Sequence, residues 1–190
     1  MSNAELGKIL LAGGLVAGLV AIVMGKRSTT ASSSQPVYTD QTSNIHDDMD
    51  TNTKLPRGYR NNNPLNIRIS GNNWQGKIPV SENTDGVFEQ FETMAHGYRA
   101  AMVLLRNYIN RYKCDTLAKI ITRWAPPKEN NTQGYIDRVA KSMGVPSDTF
   151  INPYSQALMS SLVYAMSLVE NGTKITPPQD AIREGWELYA

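Results

Sequence analysis

The chain has one cysteine, Cys114, in 190 residues, so no intrachain disulfide can form. With no partner motif beside it, that thiol is expected to be a buried structural group rather than a nucleophile. Histidine is nearly as scarce, and neither His46 nor His96 belongs to a metal-ligand pattern, so no metal and no cofactor are expected. Charge of either sign is in short supply as well. The net value of +2 is too mild to indicate a nucleic-acid partner. No internal repeat is visible.

What charge there is follows the chain's organisation. Residues 9–25, ILLAGGLVAGLVAIVMG, are 17 uncharged positions between Lys8 and Lys26-Arg27, at the short end of what spans a bilayer. A signal peptide is the rival reading, but no small-x-small cleavage site closes the run before the two basic residues. Residues 1–27 are therefore expected to be an N-terminal transmembrane anchor, placing the protein on a membrane. Residues 28–54 hold 11 Ser or Thr in 27 positions and carry Lys54 against four aspartates. A segment so poor in apolar residues cannot offset the entropy of ordering, so a disordered linker is expected, with a reach of about 25–30 Å. From residue 55 onward, 15 Lys and Arg stand against 12 Asp and Glu, and residues 55–190 suit one domain. A slightly basic domain fits an anionic wall polymer, and a solvated surface explains it equally well.

That domain is organised around residues 57–76, RGYRNNNPLNIRISGNNWQG. Asparagine suits turns because its side chain bonds nearby backbone and tolerates left-handed conformations. Leu65, Ile67 and Ile69 alternate with polar residues as in a half-buried strand, and residues 70–73 form a turn before a second strand at Trp74. Residues 77–80 and 87–91 read as further short strands. Five helices follow. The first is capped by Thr93 and buries Tyr98, Ala101, Met102, Leu105, Tyr108, Ile109 and Tyr112; the second starts after Asp115 and stops at Pro126-Pro127. The third follows Thr132 and closes at Gly144, and the fourth is opened by Asn152-Pro153 and is apolar nearly all round. The fifth begins at Thr176-Pro177. One small antiparallel β-hairpin region among about five helices makes an α+β domain.

The asparagine stretch resembles the "RxxRNNNPxNIR…WxG" pattern common in phage virion proteins of the lysozyme-like, peptidoglycan-degrading kind. It is also similar to the "NNLFGIK…WxG" core of bacterial glucosaminidases. The likeness continues through FEQFETMAHGYRAAMVLLRNY at residues 88–108 and TRWAPPKENNTQGYIDRVA at residues 122–140, covering roughly residues 55–172. It implies a lysozyme-like α+β fold, mostly helical, and cleavage of glycosidic bonds in peptidoglycan by a muramidase, lytic transglycosylase or glucosaminidase. A virion or host-envelope location with other virion proteins as partners is implied too; a cellular, prophage-derived enzyme is the alternative origin.

Glycoside cleavage needs a carboxylic acid to protonate the leaving oxygen. Lysozyme-like families place it at the end of a buried helix ahead of the sheet, but upstream of Arg57 the only glutamate is Glu5. SSLVYAMSLVENG at residues 160–172 resembles the "AIxxESG" helix end of transglycosylases, which implies Glu170 as the acid in a circularly permuted domain. A negative charge at a helix C-terminus opposes the dipole, so its placement calls for a reason. Glu82, Asp85 and Glu89 are the alternative carboxylates, the first two at the distance past WxG where glucosaminidases keep a second acid. Tyr135 matches a tyrosine that positions the reacting sugar, and Asn63, Asn66 and Trp74 are expected to bind the glycan. A non-enzymatic virion or wall-binding module is the rival function, supported by the missing upstream glutamate.

Overall fold

The computed structural model describes residues 55–128 and 130–190; the expected anchor and linker, residues 1–54, lie outside them. Six helices are found among the described residues: α1 (Arg57–Arg60), α2 (Met94–Tyr112), α3 (Leu117–Trp124), α4 (Thr132–Met143), α5 (Gln156–Asn171) and α6 (Gln179–Tyr189). None of them is long and apolar enough to cross a membrane.

Local chemistry sets the helix ends. The Thr93 hydroxyl accepts from the His96 amide at 3.3 Å and starts α2, which ends at Lys113 with φ +56°. Asn131 caps α4 by accepting from the Gly134 amide at 3.0 Å, and Gly144 closes it at φ +67°. Helix α5 starts later than Asn152-Pro153 suggests. The Asn152 side chain turns back onto the Tyr154 amide at 3.0 Å, and Ser155 provides the cap instead.

The core forms where α2 and α5 meet α3, α4 and α6. Tyr98, Met102 and Leu105 of α2, Ile120 and Ile121 of α3, and Leu162, Val163 and Met166 of α5 are fully buried. Burying each such side chain contributes roughly 1.5–3 kcal/mol. Tyr112, expected on the inner face of α2, is 54% exposed and packs instead edge-on to Tyr108 and against the Arg123 guanidinium, 3.6 Å from its ring centre. Cys114, expected buried, is half-buried.

The α+β class does not hold. Residues 64–91 form no named strand; antiparallel pairing is confined to isolated bridges, Arg68 with Phe88 and Lys77 with Phe91. Main-chain bonds flank these bridges, with the Ile69 amide donating to Val87 at 3.0 Å and the Glu89 amide to Ile67 at 2.8 Å, and side chains add to them. Asn63, fully buried, donates from Nδ2 to the carbonyls of Ile67 at 2.9 Å and Glu89 at 2.8 Å, and its Oδ1 accepts from the Ile67 amide at 2.9 Å. Asn62 and Asn66 sit at φ +50° and +51°, which breaks the extended run that the Leu65–Ile67–Ile69 alternation implied. The fold is helical with an irregular, asparagine-stapled arm. The lysozyme-like α+β architecture is withdrawn with the hairpin, and so is its circular permutation, which the late position of Glu170 had implied within that architecture.

Candidate active site

Glu170 lies in the last turn of α5, where backbone carbonyls already make the surroundings negative. Its placement is offset by three donors from three other segments. Trp124, the last residue of α3, donates its indole N–H to Oε1 at 3.0 Å. Tyr135 of α4 donates its hydroxyl to the same oxygen at 2.8 Å. From the arm, Asn66 Nδ2 donates to Oε2 at 3.1 Å. Burial, followed by the Glu170 charge and the hydrogen bond to it, pushes the Tyr135 phenol well above its ordinary range, so it remains a donor at physiological pH.

The carboxylate stands in a cleft of about 610 Å³. One wall is the arm, with Asn66, Arg68, Ser70, Asn72 and Trp74; the other is helical, with Trp124, Tyr135 and Arg138. Among the described lining residues Glu170 is the sole carboxylate. Its neighbours lock its orientation but leave the two oxygens unequal. Oε1 has two donors, whereas Oε2 has one amide that a ligand can displace.

The structure thus brings Glu170, Tyr135, Asn66 and Trp74 onto one cleft, and it leaves four expected residues off it. Asn63 cannot touch a glycan, being fully buried as the staple of the arm. Glu82 is exposed and lies outside the lining. Asp85 is engaged elsewhere: its carboxylate accepts from Arg57 at 2.6 and 2.7 Å, from Asn61 at 2.7 Å and from the Phe88 amide at 2.9 Å. The Arg57 guanidinium, helped by Asn61 and the backbone amides, holds the Asp85 carboxyl well below the usual carboxylate range.

A depressed native pKa contributes stability that is present above the unfolded value, near 4, and is lost as pH falls through the native one. Thermal melts across acid pH should therefore show the wild type losing stability between about pH 5 and 2. Asp85→Asn, less stable at neutral pH, should give a shallower curve there; parallel curves would discount the contribution.

Glu89 is fully buried, and its Oε1 accepts from Lys77 Nζ and the Ser70 amide, both at 3.0 Å. Lys77 also donates to the carbonyls of Ser70 at 3.1 Å and Asn72 at 3.3 Å, so this buried pair pins the rim of the arm wall. Trp124 escaped sequence reading because helical spacing assigns an indole to the core. Its one signal was an indole N–H at a helix end, a donor that looks for an acceptor wherever the ring packs. Among the described residues no three His, Cys, Asp or Glu side chains converge as metal ligands would.

Helices, arm and clamp define a helical protein built round a single oriented carboxylate in an open cleft. Protein P5 of Pseudoalteromonas phage PM2 is 38% identical to the chain over 134 residues, which cover 69% of the chain and 80% of that protein. The chain belongs to the family of this phage protein. No family model matches it.

Proposed function

We propose that the chain is a phage virion protein that cleaves glycosidic bonds of host peptidoglycan while the genome is delivered, with Glu170 as its acid–base group. The observation that carries this reading is the clamped carboxylate, alone among the described residues lining a cleft walled by amides and aromatic rings. In its protonated form Glu170 gives a proton to the leaving oxygen from Oε2, the oxygen with the single displaceable partner. The same carboxylate then takes a proton from the attacking hydroxyl. Trp124 and Tyr135 hold Oε1 throughout, so the group does not have to be reoriented between the two transfers.

Two-carboxylate glycosidases keep the second acid about 5–10 Å from the first. The described cleft lining offers no second one, which favours attack by a hydroxyl of the substrate itself and an anhydro product over hydrolysis by water. Asn72, exposed on the lining, can read hydroxyl and N-acetyl groups, and Trp74 supplies apolar wall for a sugar face.

A second reading has its own support. A carboxylate that ties α3, α4 and the arm to α5 would serve equally as a staple in a wall-binding virion module. Incubating the purified chain with peptidoglycan separates the two. Clearing of turbidity is expected, with soluble fragments lighter by one water than reducing sugars in mass spectra. Intact peptidoglycan across several wall types would leave the binding module as the function.

A further inference from the structure

Each wall of the cleft carries an arginine close in sequence to a residue that holds Glu170. Arg68 lies two positions beyond Asn66 on the arm, and Arg138 one helical turn beyond Tyr135 on α4; both line the cleft. Both are exposed, and neither forms an ion pair among the described residues. Neither makes an ion pair with Glu170, whose three hydrogen-bond partners are uncharged. The cleft therefore presents two guanidinium groups to a ligand against one carboxylate already occupied. Arg68 is also held in place, with its guanidinium 5.5 Å from the centre of the Phe88 ring. Stacking of that kind leaves the N–H edge free for a planar, two-point partner. Arg57, 4.5 Å from the same ring, is by contrast already paired with Asp85.

We infer that Arg68 and Arg138 make the cleft selective for a glycan bearing carboxylates, which guanidinium groups grip through paired hydrogen bonds, over a neutral glycan of the same length. The inference rests on the cleft being a glycan site, but not on turnover there. In peptidoglycan the carboxylate has two sources, the peptide stem and the lactyl group that remains when the stem is removed.

The test is binding of the full chain to three fragments of equal length: stem-bearing peptidoglycan, amidase-stripped peptidoglycan and the neutral chito-oligosaccharide. Expected is an affinity at least about tenfold higher for a carboxylate-bearing fragment than for the neutral one, weakening with salt. A preference that appears only on stripping assigns the lactyl carboxylate, one lost on stripping assigns the stem, and one shown by both fragments means that either carboxylate is accepted. Arg68→Gln and Arg138→Gln, at exposed positions where folding is preserved, should each lower that affinity about tenfold and lower neutral binding distinctly less. Equal binding of all three fragments by the wild type would overturn the inference, as would equal losses on charged and neutral ligands in the variants. Arginine-dependent binding without bond cleavage would sustain it while removing the enzyme. Equal cleavage of charged and neutral glycans would do the reverse.

Discussion

Glu170→Gln is expected to lower the cleavage rate by roughly 10²–10⁴-fold, the usual worth of a general acid–base group, while costing only about 1 kcal/mol of stability. The geometry explains the disparity. The glutamine carbonyl replaces Oε1 and still accepts from Trp124 and Tyr135. Its amide nitrogen then faces Asn66 Nδ2, a donor against a donor. Asn66 has a remedy, because its Oδ1 is buried without a partner and a half-turn of the side-chain amide would bring that oxygen to the new donor. Glu170→Ala has no such repair. It strands three part-buried donors, each costing about 1–3 kcal/mol. Rates on purified peptidoglycan and melting curves for both variants check this. A glutamine variant as active as the wild type would remove Glu170 from the chemistry. A glutamine variant that melts like the alanine one would show that Asn66 does not turn.

Gly97→Ala should destabilise the domain by about 1–3 kcal/mol, although it lies within α2 where alanine alone would be worth about 1 kcal/mol of improved helix propensity. A Cβ at position 97 would collide with the backbone carbonyl oxygen of Asn62 and stand 2.8 Å from Pro64 Cδ. The carbonyl cannot swing aside, since Asn62 is fixed at φ +50° and its side chain donates to the carbonyls of Phe91 at 3.0 Å and Glu92 at 3.2 Å. Relief has to come from the arm lifting off α2, which draws Asn66 away from Glu170. A fall in melting temperature of roughly 2–4 °C per kcal/mol is expected, with activity lost alongside. Gly71→Ala is the control, because nothing lies within 4 Å of a Cβ there. Unchanged melting at position 97 would mean that the arm is not wedged against the helix.

The helices were legible because burial in α2 and α4 follows the 3.6-residue period closely, and because Thr93 and Gly144 have the chemistry of helix ends. Glu170, Tyr135, Asn66 and Trp74 were reached through resemblance. The arm was misread for a physical reason. Its alternation is real, with Leu65 and Ile67 both buried, but alternation reports which face is buried and not what bonds the backbone. Main-chain bonds join residues 67–69 to 87–89 and 76–78 to 90–92 without extending into strands, and Asn63 and Asn83 add to them, the latter accepting from the Asp85 and Gly86 amides, both at 2.9 Å. Asparagine side chains that look available to a ligand are here consumed by the chain itself. The charge of the cleft was not legible either, since Arg68 and Arg138 stand 70 positions apart and meet only across the folded walls.

The left-handed backbone at Asn62 and Asn66 has a consequence for inheritance. Those positions answer to the shape of the arm, and the demand for asparagine there continues whether or not Glu170 is present. A descendant that lost its carboxylate would go on displaying RNNNPLNIR, and its sequence would keep the same resemblance without the group on which the proposed chemistry depends. The motif is a pedigree of the scaffold, and the trio of Trp124, Tyr135 and Glu170 is what would have to be traced to follow the trade.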